Sequence, residues 1–308
     1  MHALLKRSGV SFDHWKAQNR LAKVDIDQTD ANKATLLYTS TIEFKEDDSN
    51  AWFVAYDAIC LVDKEIKSCN SVLEKHIGYS FQVKRVKGID SPESMSHLIK
   101  AKGWKPCSAK VHVGNVEKII HNLGGEMLYG TGSDILGIVL RELIQNARDS
   151  IKARNVFDKD SKGKILVRIN HDSTNNTWIT IEDNGIGMSE RILTGPLLDF
   201  GTSFWTSSLV QSEFPGLRSS EFKSIGKFGI GFYSVFMLAD EIIIASRIWN
   251  SGFSDVNQLK FNNGFSLRPI LSKAAPPEFR SVISTQIKLK LKPNYLPRNL
   301  LGGVLDFV

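Results

Sequence analysis

Apolar residues recur at helical spacing through residues 51–77 (AWFVAYDAICLVDKEIKSCNSVLEKHI), which predicts one long helix. Residues 80–86 (SFQVKRV) alternate like a strand, and 88–94 (GIDSPES) has turn chemistry. From about residue 111 helices and strands mix. Residues 116–124 (VEKIIHNLG) read as a short helix closed by glycine, and 133–154 as a long helix with Ser133 or Asp134 as N-cap. Two strands follow, 164–169 (KILVRI) and 177–183 (TWITIED). The turn-rich NHDSTNNT between them makes a hairpin. After them come a glycine-rich stretch at 226–240, a strand EIIIAS, a hairpin around 262–264, and a strand TQIKLKLK with one buried and one wet face. The pattern predicts two parts: an α-rich accessory region, 1–110, and an α/β sandwich, 111–308.

Composition changes this picture little. Hydrophobic content of 42% and charged content of 23% are ordinary for a globular protein. No stretch reaches the ~18 apolar residues of a membrane span, and the N-terminus has no signal-peptide core. Cys60, Cys69 and Cys107 are scattered and odd in number, which fits a reducing cytoplasm without a disulfide framework or a zinc site. Residues 260–308 hold eight Lys or Arg against two acids, a surplus equal to the +6 of the whole chain. A basic face can bind nucleic acid, but a solvated strand face is the simpler reading.

Candidate chemistry begins on the long helix. Leu136, Leu140, Leu143 and Ala147 form an apolar stripe. Glu142, Asn146 and Asp149 form a second, polar stripe roughly 120° away, so it borders the core. Carboxylate, amide and carboxylate at a core edge suit a magnesium–phosphate site. The strand 177–183 ends in Asp183, followed by Gly185 and Gly187, which suits recognition of a base edge. The stretch GKFGIGFYSVFMLAD is not a Walker A loop, because Phe228 follows Lys227. Its G-x-G-x-x-S also lacks the preceding strand that a dinucleotide loop requires.

In this order the segments resemble the GHKL ATPase superfamily, named after gyrase, Hsp90, histidine kinase and MutL. RELIQNARDSI, DNGIGMSE, FGTSF and GKFGIGFYSVFMLAD are most similar to the motifs of the Hsp90 N-terminal domain. The resemblance implies a Bergerat fold: a two-layer sandwich with a mixed, mostly antiparallel sheet of about eight strands backed by helices. It implies binding of ATP or ADP with Mg2+. Glu142 would activate water, Asn146 would hold the metal, and Asp149 would line the same helix. Asp183 would read the adenine amine, with Gly187, Met188 and Thr285 around the base. Gly226, Lys227, Gly229, Ile230, Gly231 and Phe232 would cradle phosphates near a helix N-terminus. Residues 193–224, with Gly201 and Thr202, would form a mobile lid whose closure promotes homodimerisation.

Departures from the family pattern are also visible. Asp199 and Trp205 stand where the family has asparagine and lysine, and Lys223, Lys227 or Arg218 is placed to compensate. Ser284 precedes Thr285 where the family has glycine. The chain stops where a following domain would supply an arginine, so nucleotide binding with slow or absent hydrolysis is expected. Its apolar ending reads as the cut edge of a longer protein. Segments in residues 1–110 are similar to bacterial proteins with an HD-type domain ahead of an Hsp90-like ATPase. No His and Asp cluster there predicts a hydrolase site, and His171-Asp172 reads as a turn. The expected function is an Hsp90-like, chaperone-type clamp. The alternatives are a DNA-processing relative in the manner of MutL or gyrase B, and a non-hydrolysing nucleotide sensor or scaffold in a stress or defence system.

Overall fold

The computed structural model describes residues 12–22, 24–109, 132–199, 205, 207–217, 219–220, 222–224, 231–262, 268–273, 275–293 and 304–307. The chain divides into two compact units, Met1–Ser108 and Ala109–Val308.

The first unit is built on the long helix. Helix α1 is Phe12–Arg20 and α2 is Ser49–Ile77. Glu46, Asp47 and Asp48 place negative charge at the N-terminus of α2, where the helix dipole favours it. Lys16 and Arg20 of α1 pair with Asp48 at 2.7 and 2.8 Å. The helix ends at Gly78 in the left-handed region (φ 62°), whose N–H caps the Glu74 carbonyl. Trp52, Phe53, Ala55 and Ile59 are buried, so the N-terminal half of α2 carries the core. The strands here are short: β1 Asp25–Ile26, β2 Thr35–Leu37, β3 Phe44–Lys45, β4 Arg85–Val86 and β5 Ala101–Lys102, with α3 Pro92–Ser96 between the last two. Alternation in 80–86 therefore yields only a two-residue strand. The reason is that α2 takes over the segment's backbone groups. The Asn70 amide accepts from Phe81 N at 2.6 Å and donates to Val83 O at 2.9 Å, and Asp63 accepts from Val86 N at 2.8 Å.

The second unit is a helix layer on a sheet. Helix α4 spans Gly132–Phe157, so Ser133 and Asp134 lie within its first turn rather than ahead of it. The strands are β6 Ile165–His171, β7 Thr177–Asp183, β8 Ala239–Ser246, β9 Asn257–Phe261, β10 Ile270–Ser272, β11 Thr285–Leu291 and β12 Val304–Phe307. They pair in the order β10-β9-β8-β11-β7-β6-β12. Every described pair in this sheet is antiparallel, in keeping with the mostly antiparallel sheet of about eight strands that the resemblance implies. The shorter helices are α5 Glu190–Thr194, α6 Ser208–Glu213 and α7 Val235–Leu238, the last preceded by a 3-10 turn, Gly231–Ser234.

Strand register sorts the two faces of the sheet. Ile179, Ile181 and Asp183 of β7 lie opposite Leu289, Ile287 and Thr285 of β11, which in turn oppose Ile242, Ile244 and Ser246 of β8. The apolar residues of this face pack beneath α4 and α7. On α4 the fully buried apolar residues are Val139, Leu143, Ala147 and Ala153, while Leu136 and Leu140 are only partly covered. Each fully buried aliphatic side chain contributes about 1.5–3 kcal/mol. On the other face Glu182, 2% exposed, pairs with Arg168 and accepts from Gln286 Nε2 at 2.7 Å. Basic residues there have partners: Lys288 with Glu278, Lys260 and Lys290 with Glu241, Arg280 with Glu182, and Lys273 with Asp255. Lys292 donates to the Phe236 and Met237 carbonyls at the end of α7.

The hairpin turn between β6 and β7 is organised by Asp172. Its carboxylate accepts from Thr174 N and Oγ1, Asn176 N and Nδ2, and Trp178 Nε1. These bonds hold its pKa well below the usual carboxylate range. His171-Asp172 is thus a structural turn, with the His171 ring against Thr177 Oγ1.

Candidate functional site

Asp183 is the last residue of β7 and is 7% exposed. Its side chain follows Ile179 and Ile181 onto the helix-covered face, where water is excluded. One carboxylate oxygen accepts from Gly185 N at 2.8 Å, and this bond and the nearby Ser150 hydroxyl of α4 both favour the ionised form. Burial dominates these bonds and pushes the pKa up to about 7. The turn that follows is fixed to the helix: Ile186 N donates to Ser150 O at 3.0 Å, and Arg154 donates to Asn184 O at 2.7 Å.

Glycine is required at two positions of this turn. A Cβ on Gly185 would lie 2.7 Å from Ile151 N of α4. Gly187 has φ +72°, and its Cβ would overlap the Arg247 carbonyl oxygen. The sequence suggested glycines that admit a ligand. In the fold they admit the protein's own backbone, which brings helix, turn and sheet together around Asp183.

A node of hydroxyls lies beside this turn. Thr285 opposes both Asp183 and Ser246 in the sheet. Ser246 Oγ accepts from Met188 N at 3.0 Å, donates to Ser284 O at 3.0 Å, and lies 2.9 Å from Thr285 Oγ1. With Thr285 as donor to Ser246, all these groups are satisfied. Ser284 N donates to Asp183 O at 2.9 Å and Ser284 Oγ to Gly185 O at 2.6 Å. The serine that replaces the family's glycine therefore clamps the turn. Arg247 donates to the Ser251 and Ser281 carbonyls and holds the neighbouring loops.

Helix α4 brings the other polar residues to the same layer. Asp149 is 0% exposed, while Glu142 and Asn146 are partly covered. Burial raises the Glu142 pKa, and the Arg141 charge opposes the rise. The 3-10 turn Gly231–Ser234 and α7 pack against this helix. In that turn Phe232 is buried, with its ring 5.9 Å from Tyr233 and 6.2 Å from Phe236. Burial and the Asp199 carboxylate push the Tyr233 hydroxyl well above its ordinary pKa. Gly201, Thr202, Gly226, Lys227, Gly229 and Ile230 lie outside the described residues, as does Arg218.

The segment after Met188 packs over the turn. Ile186, Ile192, Val210, Phe214 and Leu217 form one buried cluster with Ala153 of α4, and Met188, Trp205 and Phe222 pack against it. The Trp205 and Phe222 rings meet edge-on at 5.0 Å. Ser189 caps α5 by accepting from Ile192 N at 3.2 Å, and donates to Glu213 at 2.9 Å. Lys223 is exposed.

The structure thus gathers Asp183, Gly187, Met188 and Thr285 around one turn, and carries Glu142, Asn146 and Asp149 on the helix it docks to. Sequence reasoning missed Ser150 and Ser246. Ser150 lies four residues after Asn146 and eight after Glu142, a spacing that could have revealed it. Ser246 is visible only through strand register.

A nucleotide fits these residues: a buried carboxylate faces the turn, and hydroxyls line its far side. Asn146, partly covered on α4, would offer magnesium one oxygen ligand, enough for an ion that keeps most of its waters. Among the described residues no group of three or more His, Cys, Asp or Glu is placed to hold a metal. No described helix is long and apolar enough to cross a membrane.

Residues 135–285 match the family of histidine kinase-, DNA gyrase B- and HSP90-like ATPases. The chain is 31% identical over 181 residues to the chaperone protein HtpG of Chlorobaculum tepidum, covering 56% of this chain and 28% of that protein. It is 39% identical over 160 residues to HtpG of a Wolbachia endosymbiont of Brugia malayi, covering 47% and 22%. A third HtpG, from Legionella pneumophila, is 39% identical over 121 residues, covering 36% and 18%. The chain spans less than a third of the length of these curated relatives.

Proposed function

We propose a function from one premise: residues 135–285 are a GHKL-type ATPase domain of the Hsp90-like kind. The domain binds Mg-ATP and Mg-ADP. The observation that carries this reading is the buried Asp183 carboxylate at the mouth of β7, in register with Thr285 and followed by a turn hydrogen-bonded to the helix that bears Glu142. Ionised Asp183 accepts from the adenine 6-amino group, with Gly187, Met188 and Thr285 around the base. Asn146 holds magnesium, which neutralises phosphate charge when bound. Glu142, whose raised pKa makes it a better proton acceptor, orients and deprotonates the attacking water. Asp149 supports the same helix face. Residues 226–232 surround the phosphates.

Residues 193–224 act as the lid, and its closure over nucleotide favours a homodimer. This switch works only if nucleotide prefers the closed state. Trp205 packs against the cluster beside Met188, which supports an apolar lid contact in place of a phosphate-binding lysine. Hydrolysis by this chain is therefore slow. The same observation favours a second reading, a nucleotide sensor that binds without hydrolysis. A DNA-processing role is disfavoured by the Hsp90-type stretch GFYSVFMLAD. The working environment of this reading is the cytoplasm.

Calorimetric titration with ATP and ADP in magnesium tests the site. Asp183→Asn removes a charged hydrogen-bond acceptor worth about 1.5–3 kcal/mol, so affinity should fall about ten- to a hundredfold. Wild-type affinity in this variant would refute the assignment.

A further inference from the structure

Ser246 ends β8 and is fully buried. Antiparallel register sets it against Thr285 of β11, whose neighbour on the other side is Asp183 of β7. Hydrogen-bond capacity fixes the direction of the hydroxyls in this row. A serine hydroxyl has one proton and two lone pairs. The Ser246 proton goes to Ser284 O at 3.0 Å, because a carbonyl can only accept. One lone pair takes Met188 N at 3.0 Å. Thr285 Oγ1, 2.9 Å away, is left with the second lone pair, so Thr285 is the donor. Its single proton is directed toward β8. Toward whatever binds beside Asp183, the Thr285 oxygen can only accept.

We propose that Ser246 is a positioning residue that sets the polarity of the base pocket: by holding the Thr285 proton it makes Thr285 a second acceptor beside Asp183, so the pocket takes a purine with a 6-amino group and rejects one with a 6-oxo group. This rests on the reading of Asp183 as the base-recognising group, and it places the 6-substituent between the two residues. An amine offers one hydrogen to each acceptor. A 6-oxo group meets an ionised carboxylate and a hydroxyl with no proton to give, and a buried acceptor left unpaired is costly. Without Ser246, the Thr285 proton is released and can be donated to the oxo group. Ser284 is the natural comparison. Its hydroxyl holds the turn through Gly185 O, whereas Ser246 bonds to its backbone carbonyl, which a side-chain change leaves in place.

The test compares ATP with inosine triphosphate, which carries a 6-oxo group in place of the amine. Affinities are measured calorimetrically at pH 8, where Asp183 is mostly ionised, for wild type, Ser246→Ala, Ser284→Ala, Thr285→Val, the Ser246→Ala/Thr285→Val double variant and Asp183→Asn. Wild type should prefer ATP by at least about tenfold. Ser246→Ala should lower that preference about three- to tenfold, the worth of one neutral hydrogen bond. Ser246→Cys, which keeps the bulk but is a weak hydrogen-bond partner, should act in the same direction and serves if the alanine variant does not fold. Ser284→Ala should loosen the turn and weaken both nucleotides alike. In the Thr285→Val background, Ser246→Ala should not change the preference further, because its effect runs through the Thr285 hydroxyl. If Ser246→Ala leaves the preference unchanged, or lowers it just as much in the Thr285→Val background, Ser246 only packs the turn and the inference is wrong. If Asp183→Asn keeps the full wild-type preference for ATP, the reading of Asp183 is wrong and the inference falls with it.

Discussion

Nucleotide affinity should depend on pH through Asp183, and the size of the effect follows from its burial. The empty site holds this carboxyl with a pKa of about 7 because burial penalises the charge. An exocyclic amine bonds far more strongly to the ionised form, whose acceptor is charged. Such a carboxyl is roughly one-tenth ionised at pH 6 and nine-tenths at pH 8, so affinity should fall about tenfold, or about 1.4 kcal/mol, between pH 8 and pH 6. The folding equilibrium should move the other way. The folded pKa lies above the unfolded value of 3.8, so the stabilising contribution is complete below about pH 4. It is lost progressively as pH rises toward 7, by about 4 kcal/mol in total. Asp183→Asn removes the charge, and the empty variant should be more stable than wild type at pH 8 although it binds nucleotide poorly. Titration of ADP at saturating magnesium from pH 6 to 8, with the variant as baseline for the ligand's own ionisation, reads the first effect. Thermal melts of the empty proteins read the second. Parallel affinity profiles for wild type and Asp183→Asn would refute the reasoning.

Two further outcomes are expected. Glu142→Gln should lower ATP turnover by about 10²–10⁴-fold, measured as phosphate release, while calorimetric affinity changes little. Gly187→Ala must move either the turn or the Arg247 carbonyl and adopt a left-handed φ, so it should destabilise the fold by about 3 kcal/mol or more in thermal or urea unfolding.

Local placement was legible where helical periodicity and strand pattern set it. Spacing put Glu142 and Asn146 on a partly covered face of α4 and did not show that Asp149 is fully buried, and the apolar strand does end at Asp183. The hydroxyl node was not legible. Ser246 and Thr285 are 39 residues apart, and only antiparallel register puts both beside Asp183. For the glycines, sequence showed that a close approach is needed, and the fold adds that α4 and the Arg247 carbonyl approach them. The 80–86 segment shows the opposite limit. Its alternation is real, but Asn70 and Asp63 of the helix compete for its backbone groups, and local pattern carries no trace of a competitor. Part of the basic surplus lies on a solvated face, as expected, with Lys260, Lys273, Arg280, Lys288 and Lys290 near carboxylates that sequence spacing does not reveal.

Glu182 and Asp183 are consecutive buried acids on opposite faces of one strand, and this has a consequence for refolding. A one-residue slip of β7 exchanges the faces. It would turn Asp183 toward Arg168 and Gln286 and Glu182 toward the helix layer. Correct strand alignment and the placement of Asp183 beneath the helix are therefore the same event. A fluorescent adenine nucleotide added during refolding should report when the central strands have found their partners, and the fraction of protein able to bind it measures the yield of correctly aligned sheet.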